Sequence, residues 1–198
     1  MIEENLLVKY HAILKNFRKE DILFKKNNAA RFYFQIQIGE VKLFNISSDG
    51  KEFIQSIYSE NRGVGEAAIL ADLIYLFDCK VTRPSKIWML GKADFLRLLK
   101  ENIEVNLKVS KVISQRLHFM SLMACENSIE SPEHRILCLL NYLKKTIYQK
   151  NEPFEFIVDL SRKEIGKLTG LRVETVIRAI KKLEKNYKLK LINRKVYI

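Results

Sequence analysis

The 198-residue chain is 47% hydrophobic and carries 35 Lys and Arg against 23 Asp and Glu, a net charge of +12 with a pI near 9.6. That composition is globular, with material for one large core or two small ones, and its charge favours a polyanionic partner. Cys79, Cys125 and Cys138 form no C-x-x-C pair, the start MIEEN lacks a basic signal-peptide region, and no apolar run approaches about 18 residues, so no disulfide framework, metal cluster, export or membrane span is expected and the cytoplasm is the expected location.

The charge is unevenly placed. From residue 128 onward there are 16 Lys and Arg against 8 Asp and Glu, whereas residues 1–127 carry 19 against 15. The smaller part therefore holds most of the excess, as a nucleic-acid-binding domain would.

In residues 4–17, Leu6, Leu7, Tyr10, Ile13, Leu14 and Phe17 recur at helical spacing and predict a short amphipathic helix. From Asp21 the period becomes two. Phe32, Phe34, Ile36 and Ile38 alternate with Tyr33, Gln35 and Gln37 before Gly39-Glu40, where a turn is expected. A second turn at Ser47-Ser48-Asp49-Gly50-Lys51 leads into EFIQSIY, and further strands are expected in Leu73–Val81 and Ile87–Leu90. Such spacing predicts an antiparallel sandwich or barrel.

Residues 104–127 read as one long helix, preceded at Ala93–Lys100 by a stretch that resembles the short helix closing the β-roll of a family identified below. Val105, Val109, Val112, Arg116, Phe119 and Met123 keep a spacing of about 3.5 along the long helix, as a coiled-coil seam would, with Ile113, Leu117 and Met120 widening the stripe. The alternative is that this stripe packs on its own β domain. Ser131-Pro132-Glu133 caps the next helix, with Ile136, Leu137, Leu140 and Leu143 on its buried side, and a hinge is expected at residues 127–131.

DLSRKEIGKLTGLRVETVIRAIKKLE reads as a helix-turn-helix. Ser161 and Glu164 make a capping box, Gly170 supplies the turn, and Val176, Ala179, Ile180 and Leu183 form the buried stripe of the second helix. That helix turns Arg172, Glu174, Thr175, Arg178, Lys181 and Lys182 outward, a face suited to a DNA major groove. Leu189 to Ile198, apolar around a polar Asn193-Arg194-Lys195 turn, then reads as a small hairpin, the wing of a winged helix.

At this point the residues resemble a known family, the cyclic-AMP receptor and FNR-type (Crp/Fnr) bacterial transcription regulators. The run IGEVKLFNISSDGKEFIQSIYSENRGVGEAAIL resembles their β-roll, through the Gly39 turn, the Asp49-Gly50-Lys51-Glu52 hairpin and the Gly65-Glu66 pair that opens the effector cassette. Arg162, Glu164, Ile165, Gly166, Gly170, Glu174, Thr175, Val176 and Arg178 match the family's helix-turn-helix. The resemblance spans nearly the whole chain. It implies an α+β protein with a cyclic-nucleotide-binding-like β-roll (1–103), a dimerisation helix (104–127) and a winged-helix DNA-binding domain (128–198). The coiled-coil seam above would be the dimer interface.

The resemblance also implies roles. Ser161 and Arg162 would bind phosphate, Glu174 and Arg178 would read bases, and Arg172, Thr175, Lys181 and Lys182 would take phosphates. Val173 replaces the arginine that commonly precedes the glutamate and could touch a thymine methyl, so a different half-site is expected. Family members that bind cyclic AMP grip its phosphate with an arginine followed by serine or threonine; those positions fall here on Tyr75 and Leu76, and no arginine lies between Gly65 and Lys80. The loop NRGVGE is also shortened. A buried phosphate needs a charge-assisted partner, so cyclic AMP is not expected as a ligand. The pocket-like positions are Phe34, Val64, Glu66, Ile69, Leu70, Tyr75, Leu76 and Phe77, which either fill the space or take an apolar, redox-active or haem effector.

The expected function is a homodimeric, sequence-specific regulator acting on double-stranded DNA, with RNA polymerase as a further candidate partner and no cofactor. A cupin-like enzyme would need histidines and carboxylates on strands, yet none of His11, His118 and His134 lies within the β-roll run. A nonspecific DNA-packaging module is the remaining alternative, disfavoured by a carboxylate, Glu174, on the groove face.

Overall fold

One long strand organises the first half of the molecule. In the computed structural model, which describes residues 2–129 and 131–198 without the side chains of 125–129, strand β6 spans Asp78–Gly91. Strands β1 (Ile13–Phe17), β2 (Ile22–Phe24) and β3 (Phe32–Ile46) all pair with it antiparallel. β3 also carries β4 (Glu52–Ser59) and β5 (Gly63–Val64). The backbone divides into two units, Met1–Ile113 and Ser114–Ile198.

Three strand-level expectations are corrected. The helix expected over 4–17 is only α1 (Glu4–Lys9); His11 takes φ 64°, and the chain then enters β1, where Ile13 lies opposite Met89. Gly39 makes no turn. It sits inside β3 at φ 101°, where the β3–β6 register slips, and a Cβ there would lie 2.7 Å from the Pro84 carbonyl oxygen. This is a bulge that bends a continuous strand. Nor does Leu73–Phe77 form a strand, since β6 begins at Asp78.

The expected alternation along β3 also gives way, because both faces of its first half are covered. Phe34 and Ile36 are buried on one side, while Tyr33 stacks on Phe95 at 4.5 Å. Gln35 is buried too, with its amide satisfied by the Ile2 main chain: Ile2 N–H donates to Oε1 (3.0 Å) and Nε2 donates to the Ile2 carbonyl (2.8 Å). Phe32 and Ile38, expected inward, are exposed.

Gly65, at φ 93°, precedes α2 (Glu66–Leu70). Helix α3 (Lys92–Glu101) buries Phe95, Leu98 and Leu99, and α4 runs Ile103–Ile129. The hinge expected at 127–131 includes Glu130, which lies outside the described residues. The seam assigned to a dimer is the inward face of α4. Val109 is 2% exposed, and Val105 and Ile113 pack against the β-roll core. Val112 is half-buried; in the second unit Phe119 packs on the core and stacks on Tyr142 at 3.7 Å, Met123 is buried and Arg116 is half-buried. The helix has a second apolar set that faces outward: Leu107 and Leu117 are both 64% exposed, and Ile103 and Met120 accompany them.

In the second unit α5 (Pro132–Tyr142) begins with the His134 N–H donating to Ser131 Oγ and runs into a π-helical turn, Leu143–Ile147. Strand β7 (Ile157–Val158), helices α6 (Arg162–Thr169) and α7 (Val173–Lys185), and strands β8 (Lys190–Ile192) and β9 (Lys195–Tyr197) complete it. The small sheet has order β7-β9-β8. Ile136, Leu140, Ile165, Val176, Ala179, Ile180, Leu183 and Val196 make its core.

Candidate nucleic-acid interface

The helix-turn-helix forms from local chemistry. The Glu164 N–H donates to Ser161 Oγ at 3.1 Å, and the Ser161 N–H donates to the Glu164 carboxylate at 2.7 Å. Both otherwise orphaned donors are satisfied, which fixes where α6 starts. Gly170 ends it in the left-handed region, at φ 69°. Gly166 is required by closeness: a Cβ there would stand 2.6 Å from the Leu171 carbonyl oxygen. The turn can therefore fold tightly against α6 before α7 begins.

α7 buries Val176, Ala179, Ile180 and Leu183 and leaves the opposite side in water. Glu174, Arg178 and Lys181, four and three residues apart, share that outer side. Between them stands Ile177, 41% exposed, which sequence reasoning missed. Its signal was available, because it falls three residues after Glu174 on the polar face. Arg172 is the N-cap residue of α7 and makes no side-chain cap bond, while Val173 and Thr175 are half-buried in the first turn.

Two predicted phosphate ligands have protein partners. Lys182 reaches Glu133 of α5 at 3.2 Å, which places it at the flank of the group. The Glu133 carboxyl is held below the ordinary range, first by its own backbone N–H at the start of α5 and also by Lys182. Arg162 donates from Nη2 to the Arg194 carbonyl in the β8–β9 turn, at 3.1 Å. Burial lowers its guanidinium pKa from the ordinary value.

At the effector-like position of the β-roll, the chain packs on itself. Tyr75 is 5% exposed, its ring is stacked 3.8 Å from that of Phe24, and its hydroxyl donates to the Phe32 carbonyl at 2.9 Å. Phe34 also packs against Phe24, its ring tilted and 5.7 Å away. Burial raises the Tyr75 phenol pKa, so the neutral ring is the form held. A Cβ on Gly65 would lie 3.5 Å from the Tyr75 ring and 2.8 Å from the Phe32 carbonyl, so this ring covers the start of the Gly65-Glu66 cassette. Val64, Glu66 and Ile69 are buried around it, and Phe77 is half-buried. Leu70 and Leu76 differ from expectation. Both are exposed: Leu70 is the last residue of α2, and Leu76 lies in the loop between α2 and β6.

Among the described residues, no group of three His, Cys, Asp or Glu side chains is placed to hold a metal, and no helix is long and apolar enough to cross a membrane.

Residues 14–102 match the model of the cyclic nucleotide-binding domain. The chain is 26% identical over 167 residues to the cAMP-activated global transcriptional regulator CRP of Pasteurella multocida, covering 84% of this chain and 79% of that protein. It is 24% identical to the fumarate and nitrate reduction regulatory protein of Vibrio cholerae, covering 87% and 69%. Among solved structures, FixK2 from Bradyrhizobium japonicum superposes with a TM-score of 0.76 at 16% identity, over 94% of this chain and 92% of that one. The c-di-GMP-responsive global regulator CLP of Xanthomonas campestris gives 0.73 at 16%, over 98% and 99%. At those identities the two structures speak to the fold alone. An antiparallel cyclic-nucleotide-binding fold, a capped helix-turn-helix with its wing, and relatives that are transcription regulators together make the chain similar to the Crp/Fnr family.

Proposed function

We propose that this Crp/Fnr-type transcription regulator is a homodimer that binds double-stranded DNA by sequence in the cytoplasm, and that cyclic AMP does not control it. The observation that carries the reading is the outer face of α7, where Glu174, Ile177, Arg178 and Lys181 stand together beyond a tightly capped α6. Glu174 accepts from a cytosine amino group and Arg178 donates twice to a guanine, while Ile177 offers an apolar contact for a thymine methyl. Arg172 and Lys181 take phosphates. The protein works with RNA polymerase as its second partner.

The insensitivity to cyclic AMP rests on Tyr75. Where the resemblance expects an arginine, a phenol ring is packed on Phe24 and bonded to the β3 backbone. A cyclic phosphate would meet an apolar surface with no charged donor. Dimerisation rests on the outward set of α4, Ile103, Leu107, Leu117 and Met120, which replaces the inward stripe as the proposed seam.

Selection of bound sequences from a random DNA pool, with no added ligand, tests the whole reading. A two-fold symmetric motif with half-sites about one helical turn apart is expected. Salt-sensitive binding with no enrichment would overturn sequence recognition in favour of packaging. A change in motif or affinity on adding cyclic AMP would overturn the claim about the β-roll.

A further inference from the structure

The two helices of the motif are not held alike. α6 is fixed at its start by the Ser161–Glu164 capping box, whereas the N-cap residue of α7, Arg172, makes no side-chain cap bond. The place of Glu174 on α7 therefore depends on the turn that feeds the helix, Thr169 to Leu171. That turn is bound closely to α6. The Leu171 N–H donates to the Gly166 carbonyl at 2.9 Å, and the Thr169 hydroxyl donates to the Ile165 carbonyl at 2.6 Å.

One acceptor at the turn has no donor within its own helix. Thr169 is the last residue of α6 and is 1% exposed, so its carbonyl is a helix-end acceptor shut away from water. Such a group is costly if left unsatisfied, and at the negative end of a helix a cation is a favourable partner. Arg135 supplies one. From the first turn of α5 its Nη1 donates to the Thr169 carbonyl at 3.4 Å, across 34 residues of sequence. Two residues earlier, Glu133 meets Lys182 of α7 at 3.2 Å. A single turn of α5 thus reaches the end of α6 through one residue and the flank of α7 through another. At its other end α5 is stacked on α4 through Tyr142 and Phe119, so it is tied to both the long helix and the motif.

We propose that Arg135 is a positioning residue for base recognition: its guanidinium sets the α6–α7 turn, and with Glu133 it makes the first turn of α5 a bracket that fixes the angle of α7. The proposal deepens the DNA-binding reading and rests on it. Arg135 itself touches no nucleotide; it acts through the turn on Glu174 and Arg178.

The test uses the full chain with Arg135→Met, which keeps an apolar stem and removes the donors, and Arg135→Lys, which restores a cation. In the free protein, hydrogen exchange of peptides covering residues 166–176 is expected to speed up about tenfold in Arg135→Met, the effect of losing one charge-assisted bond, and by less in Arg135→Lys. On the duplex selected from the random pool, Arg135→Met is expected to bind about tenfold more weakly, while its affinity for a scrambled duplex stays within about twofold of wild type. The slope of log affinity against log salt should not change, because no phosphate contact is lost. Arg135→Lys should recover part of the specific loss.

An equal fall on both duplexes with a smaller salt slope would make Arg135 a phosphate ligand and overturn the proposal, as would unchanged affinity of Arg135→Met for the selected duplex. Unchanged exchange at 166–176 would overturn the hold on the turn. Should Arg135→Met fail to fold, the ratio of selected to scrambled affinity in Arg135→Lys decides, and a ratio equal to that of wild type overturns the proposal. If the wild-type protein enriches no sequence from the pool, the DNA reading fails; the exchange experiment on free protein still decides whether Arg135 holds the turn.

Discussion

Removing the Tyr75 ring measures how far the β-roll depends on its own filling. A buried aromatic side chain removes ~150–250 Å² from water, and ~25 cal/mol per Å² sets an upper value of ~4–6 kcal/mol. Large-to-small changes of this kind cost ~3–5 kcal/mol, because neighbours collapse only in part. Phe24, stacked on one face of the ring, and Gly65, beside its edge, cannot both move in without breaking the β2–β6 and β3–β5 pairings. We therefore expect Tyr75→Ala to cost ~3–4 kcal/mol. Tyr75→Phe loses only the bond to the Phe32 carbonyl and should cost ~0.5–1.5 kcal/mol. Trp88, the single tryptophan, is buried in the β-roll core, so urea unfolding followed by its fluorescence reports this unit separately from the other. With a slope of ~2 kcal/mol per M, the Ala variant's midpoint should fall by ~1.5–2 M and the Phe variant's by under ~1 M. A loss below ~1 kcal/mol in Tyr75→Ala would show that the ring is not a packing member and that the space is open to a ligand.

Other outcomes follow from the same geometry. Glu174→Ala should relax base choice at one position of each half-site, worth ~1–3 kcal/mol of discrimination, with a smaller change in total affinity; the selected motif reads this directly. Leu107→Lys with Leu117→Lys should turn a dimer into a monomer in sedimentation, whereas Val109→Ala, on the inward face, should lower stability and leave the dimer intact. Alkali should weaken the β-roll. Burial raises the Cys79 thiol and the Tyr75 phenol, so both stay protonated when folded and ionise on unfolding. Their contribution is complete below the unfolded values of ~8.5 and ~10, and is lost as pH rises above each, at ~1.4 kcal/mol per pH unit for each group. Cys79→Val should abolish the first step of that loss in urea midpoints taken across the alkaline range.

The parts of the molecule that were legible in the sequence are those made by neighbours along the chain. Ser161 with Glu164, Ser131 before Pro132, and Gly170 between helices each act within a turn or two, and each lies where its chemistry requires. What was misread depends on distant partners. Leu6 to Phe17 fits a helical stripe, yet Ile13–Phe17 gains a strand partner in β6 that no local pattern announces. Along α4 there are two apolar stripes, and periodicity cannot say which meets the core; Val109 and Phe119 proved inward, Leu107 and Leu117 outward. The outer face of α7 was readable from spacing, except for Ile177, which an apolar side chain disguised as core. The engagement of Arg162 with Arg194 joins residues 32 apart and could not have been seen.

The pairing of β1, β2 and β3 onto β6 sets a timetable for synthesis. Ile13 has no partner until Met89 is made, 76 residues later by their numbers. At ~5–20 residues per second a ribosome needs ~4–15 s to cover that distance. During that interval β3 and β4 can form a hairpin, but β1 and β2 wait unpaired, with Phe17 and Phe24 in contact with water or a chaperone. Slowing translation before residue 91 should therefore raise aggregation of this protein, whereas a pause after it should not.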